Sequence, residues 1–118
     1  MARIVRFDQV GGPDNLKIVE EEPAAPGAGE VLVDVKAAGL NRAEYLYLAG
    51  QYLVQPKLPS RIGVEGSGVI MAIGPDVKDY AVGDEVAITP NMSPAEYGVL
   101  GEVATVPVTA LAAKPADM

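Results

Sequence analysis

Apolar residues recur at every second position through much of the chain. In residues 30–36, Val31, Val33 and Val35 alternate with Leu32, Asp34 and Lys36, the period of a half-buried strand with one face toward a core. Short β-branched and apolar runs bounded by glycine, proline or aspartate also occur at residues 2–8, 16–22, 68–73, 85–89, 101–106 and 111–114, and each reads as a strand. The turns between them are equally legible. "GGPDN" at 11–15, Gly74-Pro75-Asp76 and Gly83-Asp84 are built from residues that pre-set or tolerate turn backbone. Residues 23–30, "PAAPGAGE", have the composition of an interdomain linker, but strand signals resume at once on the far side, which favours a surface loop.

One segment departs from the β rhythm. "NRAEYLYLAG", residues 41–50, opens with Asn41 as an N-cap, places Glu44 at the capping-box position and closes with Gly50, so a helix of about two turns is expected. A helix that short does not stand alone in water and must lean on the sheet. Tyr45 and Tyr47, with Tyr52 just beyond, make up three of the five tyrosines. They either pack the helix against the barrel with their hydroxyls wet or line a cleft.

"IGVEGSG", residues 62–68, poses a similar choice. Gly63, Gly66 and Gly68 come near a nucleotide fingerprint, but a dinucleotide loop is G-x-G-x-x-G between a strand and a helix. Here Glu65 sits among the glycines and would repel phosphate, and residues 69–73 read as a strand. The alternative is barrel architecture, in which glycine serves where a strand bends or another backbone comes close.

Composition narrows the chemistry. The 118 residues suffice for one domain with its own core, and 9 basic against 16 acidic residues give a net charge of −7, which disfavours nucleic acid and anionic membranes as partners. The longest apolar run, 98–113, is broken by Glu102 and Pro107 and is shorter than the roughly 20 residues that span a bilayer. With no signal-peptide pattern at the start, a cytoplasmic protein is expected. The chain contains neither cysteine nor histidine. Disulfides, thiolate nucleophiles, imidazole bases and the usual zinc ligands are therefore excluded, and no metal site is expected.

Four stretches in order, "GGPDNLKIVEEEPAAPGAGEVLVDVKAAGLNRAEY", "GQY", "GVEGSGVIMAIGPDVKDYAVGDEV" and "YGVLGEVATVP", resemble the N-terminal catalytic domain of the medium-chain dehydrogenase/reductases, in particular their zinc-free, quinone oxidoreductase-like branch. The resemblance covers essentially all of residues 1–118. It implies a mainly β fold, a GroES-like, partly open β-barrel with a short helix, normally followed by a Rossmann domain that binds NADPH or NADH in the cleft between the two. No G-x-G-x-x-G unit occurs in this chain, so the cofactor domain is absent from it.

The zinc alcohol dehydrogenases of this family carry a catalytic metal on a histidine of a G-H-E motif and a cysteine at the helix start. Val64 and Asn41 stand at those positions. The resemblance thus implies metal-free hydride transfer from a nicotinamide to a small molecule: a quinone, enone, aldehyde or alcohol. Carried over by position, Asn41 is a residue near the nicotinamide, or simply a helix cap. Arg42 either approaches a cofactor phosphate or is an exposed arginine. Tyr52, in "GQY", is the candidate catalytic residue bordering the pocket, against a packing role. Tyr45, Val64 and Glu65 are candidates for the substrate cleft, with Glu65 expected to anchor backbone N–H groups or to pair with a base. Asn91, Met92 and Tyr97, in the expected rim loop 89–98, are candidates for substrate contact.

Two functions remain open on the sequence. One is the substrate-side domain of a longer NAD(P)H-dependent oxidoreductase, whose relatives often form homodimers and whose isolated fragment is expected to be inactive. The other is a GroES-like binding or assembly module without chemistry of its own.

Overall fold

Residues 2–39, 41–51, 58–89 and 98–113 are described by this computed structural model, and within them the expected strands are found with one addition. They are β1 (Ala2–Phe7), β2 (Leu16–Glu21), β3 (Glu30–Ala38), β4 (Ser60–Arg61), β5 (Gly66–Ile73), β6 (Glu85–Ile88), β7 (Val103–Pro107) and β8 (Leu111–Ala113), with one helix, α1 (Arg42–Leu48). The two-residue β4 is the addition, too short to leave a period in the sequence. "PDN" of the first turn forms a single 3-10 turn, Pro13–Asn15.

The strands form two antiparallel sheets ordered β2-β1-β4 and β7-β3-β5-β6-β8. An isolated bridge between Ile4 and Gly101 joins them, supported by Val5 N–H donating to Leu100 O at 3.2 Å and Glu102 N–H to Arg3 O at 2.8 Å. The five-stranded sheet curls around Val31, Val33, Ile70, Val86, Ile88, Val99, Ala104 and Val106. Burying a side chain of the Val or Ile kind is worth about 1.5–3 kcal/mol, so this cluster is the main source of stability. Phe7, Tyr47, Leu48 and Ile62 form a second cluster under the helix.

In β3 both faces are covered rather than one. Val31 and Val33 point into the main core, and Leu32 is also buried, packed with Ala2 and Val103. The expected half-buried strand becomes two-sided here because β1, in the smaller sheet, closes over its outer face. Only beyond Val35 does β3 run exposed.

The glycines of 62–68 serve the barrel. A Cβ at Gly66 would lie 2.6 Å from Ala37 O, and one at Gly68 would strike Asp34 O. These are backbone approaches across the β3–β5 ladder, which carries register irregularities at Leu32/Val33 and Val35/Ala37. The glycines lead into strand β5 and not into a helix, so the geometry of a phosphate loop is missing. The loop before β3 is likewise part of the barrel. Gly74 N–H donates to Glu30 O at 2.8 Å and Gly29 N–H to Pro75 O at 2.9 Å, tying residues 27–30 to the 74–76 turn, where Asp76 adopts φ 68°.

Candidate functional site

Helix α1 is fixed at both ends. At its start Asn41 holds extended backbone (φ −130°, ψ 159°), and its N–H donates to Glu44 Oε2 at 3.0 Å, the carboxylate half of the capping box. At its end Gly50 has φ 76°, Gln51 N–H reaches Leu46 O at 2.8 Å and Gly50 N–H reaches Tyr47 O at 3.1 Å, which is a Schellman closure. Gly11 N–H, from the first turn, donates to the Leu48 carbonyl at 2.8 Å. A seven-residue helix is thus held by caps and neighbours rather than by its own propensity.

The two tyrosines of the helix separate cleanly. Tyr47 is buried, stands edge-on to Phe7 with ring centres 5.6 Å apart, and its hydroxyl lies 2.7 Å from Ser60 Oγ. Its role is packing. Tyr45 is 58% exposed.

Three strand ends meet in one row. Ala38 pairs with Gly66 and Gly66 with Ile88, so the C-terminal end of β3, the N-terminal end of β5 and the C-terminal end of β6 share one edge of the sheet. A cleft of about 400 Å³ opens there, lined by Ala37, Ala38, Gly39, Glu65, Gly66, Ser67, Ala87 and Ile88. Gly39 N–H donates to Glu65 O at 3.1 Å. A Cβ on Gly39 would collide with the Glu65 carboxylate, so the bare glycine makes the space in which that carboxylate lies. Val64, its neighbour in the chain, is buried, 7% exposed.

Of the residues suggested by the sequence, Glu65 lines this cleft, whereas Val64, Asn41 and Arg42 are absent from its lining, the last two following Gly39 by two and three positions in the chain. Both Asn41 and Arg42 are exposed. Tyr45, expected at the substrate cleft, is absent from this lining. Glu65 was expected to anchor N–H groups or to pair with a base. Its carboxylate accepts no hydrogen bond and forms no ion pair with a described residue, because the strand ends around it present alanine, glycine and serine instead of cations. Tyr52, Asn91, Met92 and Tyr97 lie outside the described residues. Gly39 and Ser67 were missed. Gly39 could have been noticed as the small residue between a strand and an N-cap, whereas Ser67 carries no local signal.

The donor set suits one end of a nicotinamide cofactor and not the other. The lining's single ionisable group is an acid, which repels a diphosphate, while an uncharged amide and an aromatic face suit the small and apolar walls. Among the described residues no group of three His, Cys, Asp or Glu is arranged to hold a metal ion, and no helix is long and apolar enough to cross a membrane.

The alcohol dehydrogenase GroES-like domain family matches residues 27–116. This chain belongs to that family. A quinone oxidoreductase of Pseudomonas aeruginosa is 40% identical to it over 104 residues, 86% of this chain and 32% of that protein. The crystal structure of the quinone oxidoreductase of Pseudomonas syringae pv. Tomato DC3000 superimposes with a TM-score of 0.90 at 40% identity, over 100% of this chain and 35% of that one. The Escherichia coli quinone oxidoreductase complexed with NADPH superimposes with a TM-score of 0.87 at 32% identity, over 99% of this chain and 34% of that one. The GroES-like domain therefore spans about a third of the length of these relatives, and it is of the quinone oxidoreductase-like kind, at the N-terminal end of the medium-chain dehydrogenase/reductase architecture.

Proposed function

We propose that this GroES-like domain is the substrate-side half of a zinc-independent, NADPH-dependent reductase of quinones or enones, with the cofactor's phosphates held by a second domain. The observation that carries the reading is the row Ala38–Gly66–Ile88 and the cleft at its end, lined by Gly39 and Glu65, with Asn41 two residues beyond Gly39 along the chain. The absence of cysteine and histidine from the chain supports zinc independence, since the usual thiolate and imidazole ligands are missing and a buried valine occupies position 64.

Bound NADPH supplies the hydride. The chain's own residues supply position and dryness. The Asn41 amide carries a donor and an acceptor and so matches a carboxamide. Gly39 and Gly66 let a flat ring approach the backbone, and Ala37, Ala38, Ala87 and Ile88 keep the walls apolar. Tyr52 is assigned as the donor to the substrate oxygen that gains negative charge.

Two measurements test this. Titrated alone with NADPH and followed by cofactor fluorescence, the 118-residue chain shows no micromolar affinity, because remote binding energy from the phosphates is missing. The longer protein that contains it oxidises NADPH in the presence of a quinone, and Asn41→Ala raises KM for NADPH about tenfold. A longer protein that reduces neither quinone nor enone leaves the chain a binding module and overturns the proposal.

A further inference from the structure

Arg61, the last residue of β4, takes no part in the proposed chemistry, yet it is the most constrained cation of the described chain. Its Nη2 donates to two backbone carbonyls, Leu100 O at 3.1 Å and Val103 O at 2.7 Å. Its Nε is buried without a hydrogen-bond partner. Burial lowers the basicity of the guanidinium, with the charge of Glu21 acting in the opposite sense, and it remains a cation at neutral pH.

Two glycines make room for it. A Cβ on Gly98 would strike the Arg61 side chain, and one on Gly101 would lie 2.9 Å from Nη2. The backbone beneath is held in the same place: Val99 N–H and Leu100 N–H both donate to Ile62 O, at 3.1 and 2.9 Å. Gly63 follows with φ 106°, and a Cβ there would stand 2.8 Å from Leu100 N. The next two residues are the buried Val64 and then Glu65, which lines the cleft.

A methionine or leucine would fill this space without leaving a buried donor unsatisfied, so packing alone does not account for a guanidinium. What it adds is direction, because two N–H bonds from one planar nitrogen fix the ribbon 98–103 in orientation as well as in distance. We infer that Arg61 is a positioning residue of the cleft: it pins residues 98–103 over Ile62 and Gly63 and so fixes the path by which the chain delivers Glu65 opposite Gly39. The inference rests on the reading of that cleft as the reacting end, and it names the residue that sets the cleft's shape without touching a ligand.

Arg61→Met and Arg61→Lys, made in this chain and compared by amide NMR spectra and thermal unfolding, test it. In Arg61→Met the chain stays folded, and the amides of Gly39, Glu65, Gly66 and Ser67 shift along with those of Leu100 and Val103. Arg61→Lys, which keeps a donor for the carbonyls, restores most of the wild-type positions. In the longer enzyme Arg61→Met lowers kcat on the order of tenfold while KM for NADPH stays within about twofold, and Arg61→Lys recovers most of the loss. Shifts confined to residues 99–103, with Gly39 and Glu65 unmoved, overturn the inference. So does a lowered melting temperature with unchanged kcat. If Arg61→Met does not fold, Arg61→Gln, which removes the charge and shortens the reach to the two carbonyls, carries the same comparison. A wild-type enzyme without reductase activity refutes the functional reading, and the amide shifts still decide the role of Arg61.

Discussion

The hydroxyls of Tyr47 and Ser60 are hydrogen-bonded to each other, joining the helix to the shortest strand of the barrel. The two oxygens are 2.7 Å apart. Ser60 Oγ also lies 2.7 Å from the Arg61 carbonyl oxygen, an acceptor for its proton. Tyr47→Phe is expected to cost about 1 kcal/mol, the net value of one buried hydrogen bond. Tyr47→Ala, which also removes the ring packed on Phe7, is expected to cost about 3–5 kcal/mol. Urea unfolding measures both, and a neutral Tyr47→Phe would mean that the contact contributes nothing.

The same phenol predicts an alkaline limb. Burial raises the Tyr47 pKa above its ordinary 10.0, with the Ser60 hydrogen bond acting the other way. The folded state therefore holds this proton more tightly than the unfolded state does. The corresponding stability is complete below pH 10 and is lost as pH climbs through the folded-state value. Between about pH 7 and 9 the gap between wild type and Tyr47→Phe should be constant, and above pH 10 it should narrow as wild type weakens. A constant gap at all pH values would contradict the assignment.

Gly68→Ala should be among the costly single-methyl changes in the chain. The added Cβ meets the Asp34 carbonyl inside a paired ladder, and overpacking of this kind costs about 1–3 kcal/mol. Gly12→Ala is the control, since nothing lies within 4 Å of a Cβ there. It should leave the melting temperature nearly unchanged.

Zinc content is a direct check on the proposed chemistry. Protein purified without a metal-affinity tag should contain far less zinc than protein by elemental analysis, given a chain without cysteine or histidine. Stoichiometric zinc would refute zinc independence.

Tyr52 lies outside the described residues, and its proposed role is tested by kinetics. In the longer enzyme Tyr52→Phe should lower kcat/KM about tenfold with stability changed by less than about 1 kcal/mol. Unaltered turnover would remove it from the mechanism.

The barrel was legible in the sequence because its signals are local. Alternation in Val31, Val33 and Val35, the Asn41/Glu44 cap and the Gly74-Pro75-Asp76 turn each report on a few neighbouring residues, and each is found in the structure. The illegible part depends on distant partners. Leu32 is buried because β1 covers it, Tyr47 rather than Tyr45 faces inward because Phe7 and Ser60 are there to receive it, and Arg61 acquires its carbonyls from residues some forty positions away. The site was read in part for the same reason. Glu65 stands out through its motif, while its seat against Gly39 comes from strand ends brought together by the sheet.

Gly66 and Gly68 also make the β3–β5 ladder resistant to sliding. The carbonyls of Ala37 and Asp34 accept only residues without a Cβ at those two places, and any displacement of β5 by one residue would bring Glu65, Ser67 or Val69 against one of them. The glycines thus act as a register key. Insertions within residues 66–73 therefore cannot be absorbed by slippage and must break the pairing, whereas length changes in residues 22–26, which belong to no strand or helix, leave the key engaged.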